Sequence, residues 1–305
     1  MNTKKVAILL ATYNGEKYLP EFLESLTKQT FGEFQLIVRD DGSSDGTLTL
    51  VSGYSEKLNI TIMDGLQRLG AARSFFQLLT DCGDNYDYYF FADQDDYWHA
   101  NKLERALSKL GIHNNCSTLY CAGLELVDAH LVHISFRPHA RIVGFNNALV
   151  ENSATGCTIG LNNKARSLII DRVPNIICMH DWWFYIVISA FGEVIYDDFF
   201  ALKYRQHDAN VVGAATNIFQ EFSRRTKRFF SKSKDGVFCI TEQALEFQRC
   251  HSKRMSAAQS KLVQGLIDGK VTLLGRAKLA LASNFHRQRK LDTFILRLLF
   301  LIGKF

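Results

Sequence analysis

Three features of this 305-residue chain predict an α/β fold, a mainly parallel sheet flanked by helices. Strand-like and helix-like segments alternate four times in about the first hundred residues, the pattern of a parallel sheet with helices on both faces. The first strand, Val6–Ala11, is a continuous apolar run, as expected of a strand covered on both sides. Acidic residues gather where strand runs stop, and in open α/β sheets ligands sit outside those carboxyl ends.

Val6–Ala11 closes on the turn signal Thr12-Tyr13-Asn14-Gly15. Leu19, Phe22, Leu23 and Leu26 then recur at helical spacing between Glu16 and Lys28. Phe34–Val38 is the second strand, followed by Arg39-Asp40-Asp41-Gly42-Ser43-Ser44-Asp45-Gly46-Thr47. Ser44 or Asp45 can cap the helix running on to about Lys57. Ile60–Met63 is a short third strand, and Gly70–Phe76 opens another helix.

Tyr88–Ala92 is mostly aromatic and runs straight into Asp93-Gln94-Asp95-Asp96. Aromatic residues favour strands, and three carboxylates cannot be buried unpaired without several kcal/mol of desolvation each. The strand therefore has to end where the acids begin. Asp93 and Asp95 form a D-x-D that could share one hard cation through carboxylate oxygens, whereas a helix cap near Trp98 needs a single acid. Further on, Thr158–Leu161, Val194–Tyr196 and Ala201–Tyr204 read as short strands, and Met179–Ala190 as an apolar, aromatic helix.

Composition is that of a folded globular protein, 47% hydrophobic and 22% charged. Seven scattered cysteines form no C-x-x-C pair, which predicts reduced thiols and a cytoplasmic protein. Lys4-Lys5 ahead of Val6–Ala11 is too short an apolar stretch for a signal peptide, and no run reaches the roughly 18 apolar residues of a spanning helix. The net charge of +5 conceals a split. Residues 1–220 hold 18 basic against 25 acidic side chains, a balance of −7; residues 221–305 hold 18 against 6, a balance of +12. From about Gly213 clear strand runs cease, and two or three basic, apolar helices are expected. The chain thus divides into a catalytic-looking body, residues 1–212, and a basic helical region, residues 213–305.

In order and spacing, A-T-Y-N-G (11–15), D-D-G-S-S-D-G-T (40–47), A-D-Q-D-D-x-W (92–98), T-G-C (155–157) and H-D-W-W (180–183) resemble family 2 glycosyltransferases with the GT-A fold. The loop Y-R-Q-H-D-A-N (204–210) is similar to that of the bacterial rhamnosyltransferase-like branch. The resemblance covers residues 5 to about 212. It implies inverting, metal-dependent transfer of a sugar, rhamnose in that branch, from a dTDP- or UDP-linked donor. The acceptor would be a glycan or lipid-linked sugar in bacterial surface polysaccharide synthesis.

The same resemblance implies roles. Asp95 would be the principal ligand of Mg²⁺ or Mn²⁺, with Asp93 on ribose or metal. Asp41 would contact ribose or base beside Thr12, Tyr13 and Glu16, since an acid accepts hydrogen bonds from an imide N–H and from hydroxyls. Asp40 serves equally well as a turn and helix cap. Arg73 is a diphosphate contact or a surface ion pair. Asp181 is the expected general base. Family members usually carry an acidic pair here, and His180-Asp181 keeps only the second acid. His207 is a further metal or diphosphate ligand or a solvated loop residue, with Arg205 neutralising phosphate charge.

Two other classes compete. A nucleotidyltransferase also pairs acids with a nucleotide, but needs a Lys- and Gly-rich phosphate loop that residues 11–15 do not supply. A basic module binding nucleic acid or lipid through residues 221–305 would leave the acids at four strand ends without a purpose. No nucleic-acid partner is expected. The basic region is read either as helices packed on the body or as a peripheral contact with the inner face of the cell membrane.

Overall fold

The computed structural model describes residues 4–63, 67–138, 140–206 and 240–305. In chain order the strands are β1 (Val6–Thr12), β2 (Phe34–Asp40), β3 (Ile60–Met63), β4 (Tyr88–Asp93), β5 (Tyr97–Trp98), β6 (Thr118–Val127), β7 (His133–Arg137), β8 (Gly160–Asn162) and β9 (Glu193–Arg205). They form one sheet in the order β3-β2-β1-β4-β8-β6-β9-β5, with β7 paired to β6. The first four strands are mutually parallel, β8 runs antiparallel between β4 and β6, and β6 is parallel to β9. This is the mixed, mostly parallel architecture expected.

The continuous apolar runs divide by parity, because successive side chains of a strand point to opposite faces. Ala7 and Leu9 of β1, with Tyr89 and Phe91 of β4, enter one core; Val6, Ile8 and Leu10, with Tyr88, Phe90 and Ala92, enter the other. The second core is closed by α1 (Leu19–Thr27), α2 (Thr47–Gly53) and α4 (Lys102–Ile112). The first is closed by α3 (Ala71–Asp81), α5 (Phe145–Ala148), α6 (Asn163–Ile170) and α7 (His180–Phe191). Gly160 is required where β8 meets β4, because a Cβ there would lie 2.6 Å from the Phe90 ring.

Four helices follow among the described residues: α8 (Ile240–His251), α9 (Ala257–Gly269), α10 (Leu273–Leu281) and α11 (Lys290–Ile302). Phe247, Val263, Leu266, Leu296 and Phe300 belong to the same core as Trp183 and Phe184 of α7. Arg287 Nε donates to Val150 O at 3.0 Å and Asn147 Nδ2 to His286 O at 2.9 Å, so these helices are packed on the body. No described helix is long and apolar enough to cross a membrane.

Asp95 and Asp96 cap no helix at Trp98, the alternative set against the metal reading; Tyr97–Trp98 pairs with β9, and α4 starts only at Lys102. Two details depart from expectation. Residues 194–196 and 201–204 belong to one strand, β9, whose register shifts twice against β6. β6 itself is a long central strand.

Candidate active site

β1, β2 and β4 end side by side, and their C-terminal ends open into one cleft of about 2430 Å³. Thr12, Tyr13, Asp41, Arg73, Asp93, Asp95 and Asp181 all line it. Side chains far apart in sequence thus share one cavity.

Asp40 and Asp41 extend β2. Asp40 Oδ1 accepts from Thr12 Oγ1 at 2.8 Å, and Oδ2 accepts from the amides of Gly42 and Ser43 at 3.0 and 2.7 Å, so this acid builds a turn. Asp41 Oδ1 accepts from Arg39 at 2.7 Å, Leu69 N at 2.7 Å and Ser74 Oγ at 3.2 Å; Oδ2 accepts from Gly70 N at 2.8 Å. Burial works to raise the Asp41 pKa, but the bonds from Leu69, Arg39, Gly70 and Ser74 outweigh it and hold it below the ordinary value. Asp41 therefore anchors residues 69–70 against β2 while lining the cleft.

The first loop is tied to the D-x-D loop by Gln94. Its Oε1 accepts from Tyr13 N and its Nε2 donates to Tyr13 O, both at 3.0 Å. The exposed Tyr13 ring carries the Arg68 guanidinium 4.1 Å from its centroid. Arg73 is exposed on the cleft wall in the first turn of α3. Glu16 stands outside the lining: its carboxylate accepts from Gly46 N at 3.0 Å and its own N–H donates to Asp45, so it braces two loops.

At the end of β4 the carboxylates are crowded. Burial, then the negative charges of Asp95 and Asp181, push Asp93 up to about 7. Asp96 is 1% exposed, and neither of its carboxylate oxygens has a hydrogen-bond partner. Burial first, with the charges of Asp95 and Asp93, raises it well above the carboxylate range. Asp93, Asp96 and the Cys157 thiol can bring ligand atoms within 4.8 Å of one another. Beneath them the buried Lys102 ammonium donates to Cys157 O at 2.8 Å and lies 3.0 Å from the centre of the Trp98 ring. Carboxylates crowded so that burial and mutual repulsion raise Asp93 and Asp96 form a set of hard oxygen donors that fits a divalent cation.

The structure places Arg205 differently from the expected phosphate contact. It is 1% exposed; Nε donates to the carbonyl of Asp95 at 2.9 Å, while its terminal nitrogens engage Ala129 O and Glu21. It fixes the backbone that carries the D-x-D and is absent from the cleft lining. His207, expected on metal or diphosphate, lies outside the described residues.

Asp181 occupies the first turn of α7. Oδ1 accepts from Trp182 N at 2.7 Å and Oδ2 from Gly156 N at 3.0 Å. Burial raises its pKa to about 6 despite these bonds. The T-G-C and H-D-W-W motifs meet here because Gly156 has no side chain: a Cβ would sit 2.9 Å from His180 Nε2. His180 is buried against Phe75, 4.3 Å between ring centres, and burial pushes it down to about 3, so it is a neutral core imidazole. Trp183 is core, whereas Trp182 borders the cleft with its Nε1–H held by Ala148 O at 2.7 Å.

A family model described as Glycosyl transferase family 2 matches residues 7–163. The chain belongs to glycosyl transferase family 2. This glycosyltransferase is 30% identical over 233 residues to the "dTDP-rhamnosyl transferase RfbG" of Shigella flexneri, covering 70% of this chain and 77% of that protein. It is 28% identical over 228 residues to the "UDP-Glc:alpha-D-GlcNAc-diphosphoundecaprenol beta-1,3-glucosyltransferase WfgD" of Escherichia coli, covering 74% and 85%. Among solved structures, S. aureus TarS 1–349 in complex with UDP-GlcNAc superposes with a TM-score of 0.56 at 18% identity, over 90% of this chain and 83% of that one. The mannosyltransferase PcManGT of Pyrobaculum calidifontis, in complex with GDP-Man and Mn2+, gives 0.52 at 14% identity, over 99% and 86%. The glycosyltransferase therefore has the GT-A fold.

Gln94, Asp96, Lys102 and Cys157 were not anticipated as part of the site. Gln94, Asp96 and Cys157 sit inside motifs that signalled it; Lys102 gives no local sign, since burial alone brings it beneath the D-x-D.

Proposed function

We propose that this protein is an inverting, metal-dependent transferase that moves a sugar, rhamnose in the first instance, from a dTDP- or UDP-linked donor. The acceptor is a glycan or lipid-linked sugar in bacterial surface polysaccharide synthesis. The observation carrying this reading is the convergence of Asp41, Asp93, Asp95 and Asp181 on one cleft at the ends of β2 and β4 and the start of α7.

The donor nucleotide lies along the ends of β1 and β2, against the Tyr13 ring and the segment that Asp41 anchors. Arg68 and Arg73 supply positive charge for the diphosphate on the same wall. Asp93 and Asp95 would hold Mg²⁺ or Mn²⁺, which would supply positive charge against that developing on the leaving diphosphate. The acceptor hydroxyl approaches from the α7 side and attacks the anomeric carbon opposite the leaving group. Its proton passes to a carboxylate oxygen of Asp181. The N–H groups of Gly156 and Trp182 orient that carboxylate, which lines the cleft the acceptor enters. A pKa of about 6 leaves Asp181 ionised at neutral pH yet basic enough to act. The RfbG and WfgD relatives support the donor and acceptor classes. Residues 213–305 provide a peripheral contact with the membrane that carries a lipid-linked acceptor.

The test is thermal unfolding with a panel of nucleotide sugars, with and without Mn²⁺. A dTDP- or UDP-linked sugar should raise the midpoint, by about 2.7 kcal/mol of stabilisation at a hundred times its Kd, and chelation should remove the shift. Stabilisation by none of them ends the reading.

A further inference from the structure

α11 is apolar on more than its core side. Thr293, Leu296, Leu299 and Phe300 are buried, yet Leu291, Phe294, Leu298, Leu301 and Ile302 are 63%, 57%, 45%, 45% and 56% exposed. At about 100° per residue these five form one continuous arc. Lys290 and Arg297 lie along one margin of it. Ile295, Leu299 and Asp292, which line the catalytic cleft, lie along the other. One helix thus carries an outward apolar face that runs directly into the wall of the active-site cavity.

The adjoining α10 and the residue before it are also apolar and exposed. Val271, Leu273, Leu274 and Leu281 are 76%, 77%, 67% and 84% exposed. α10 contains no acidic residue, and its basic side chains are Arg276 and Lys278. A Cβ on Gly303 would lie 2.6 Å from the Arg276 guanidinium carbon, so the end of α11 abuts the start of α10. Eight large apolar side chains on two adjoining helices, with Val271 just ahead of α10, exceed what a soluble surface ordinarily leaves bare. Lys278, Arg289 and Lys290 are exposed around them, and the region they belong to has a balance of +12.

We propose that α10 and α11 seat on an anionic lipid bilayer through the Leu273, Leu274, Phe294, Leu298 and Leu301 face, opening the cleft toward an acceptor held in that bilayer. This rests on the proposed glycosyl transfer to a lipid-linked acceptor and specifies the surface that meets the lipid. The apolar arc supplies burial in the headgroup region, and the flanking cations supply attraction to anionic lipid. Because Ile295 and Leu299 turn the corner from the lipid face to the cleft, a chain emerging beside α11 reaches the cavity of Asp181 without crossing the protein's outer surface.

The experiment is vesicle flotation of the full chain, with phosphatidylcholine alone and with phosphatidylcholine containing phosphatidylglycerol. The protein should float with the anionic vesicles and be released by high salt. Phe294→Glu combined with Leu298→Glu should reduce partition about tenfold or more, since each buried CH₂ contributes to it. The variant's donor-induced thermal shift should equal that of the parent, which separates this proposal from the donor reading. An unchanged partition of the variant, or equal partition onto phosphatidylcholine alone, overturns the proposal. So does a dimer that ultracentrifugation shows to dissociate in the variant, since the face would then cover a second copy.

Discussion

Asp40 and Asp41 leave β2 only two strands away from Asp93, Asp95 and Asp96 at β4, yet the two groups of acids are treated in opposite ways. At β2 all four carboxylate oxygens are met by amides, hydroxyls or Arg39, and the Asp41 pKa lies below the ordinary value. At β4 the Asp96 oxygens have no hydrogen-bond partner, and Asp93 and Asp96 are both raised. The difference lies in the neighbouring backbone. The loop after β2 turns back and offers Gly42 and Ser43 amides, and residues 69–70 add two more. Chain around the β4 end instead supplies further carboxylates. Acids saturated by backbone hold loops; acids crowded against one another keep raised pKa values.

The largest expected effect concerns Asp181. Asp181→Asn should lower transfer by ~10²–10⁴-fold, the range for losing a general base, with donor-induced stabilisation retained. Loss of both would make Asp181 structural, like the acids of β2. Transfer should also rise with pH through about 6, because the ionised carboxylate is the active form.

Next in size is Asp41→Ala, which leaves buried Arg39 without its carboxylate and strands the Leu69 and Gly70 amides. It should cost about 3–5 kcal/mol in urea unfolding. The stabilisation from Asp41 is present above the ordinary carboxyl range and lost as pH falls through its depressed folded pKa. An unchanged midpoint would break the contrast between the two acidic groups.

Asp93 carries the opposite sign. Its folded pKa of about 7 exceeds the ordinary 3.8, so folding takes up a proton, and this contribution fades as pH rises from the ordinary value through about 7. In metal-free protein Asp93→Asn should therefore gain stability relative to the parent up to about pH 7 and hold the difference above it. Mn²⁺ should reverse the order by stabilising only the parent. The smallest effect is expected of Gln94→Ala, which removes two hydrogen bonds to Tyr13, worth ~1 kcal/mol each, and should weaken donor binding without unfolding the protein.

Much of the site could be read along the chain, because strand runs and the acids that end them are local. Asp93 and Asp95 are placed by that logic, Thr12 and Asp41 by the resemblance of their motifs, and all four share the cleft. β6 is not read as a strand from the sequence: Gly123 interrupts its run, and the glycine fits because the Phe200 ring and Arg137 carbonyl would lie 3.0 and 3.1 Å from a Cβ there. Arg205 sits on a loop-like motif that suggests phosphate, but its partners Asp95, Ala129 and Glu21 are 110, 76 and 184 positions away. No local pattern announces such bonds.

The order of residues by itself determined the alternation of strands and helices, the sheet edge at which acids collect and the family to which the motifs belong, since all three depend on short-range periodicity and spacing. Only the tertiary structure decided which carboxylates are neutralised and which are left in conflict. It also decided that Arg205 supports the acidic loop from beneath, and that the basic C-terminal helices turn one apolar face to solvent and another into the cleft. Burial and hydrogen-bond satisfaction are set by what packs from elsewhere in the chain, so a residue's charge state and role are properties of its surroundings.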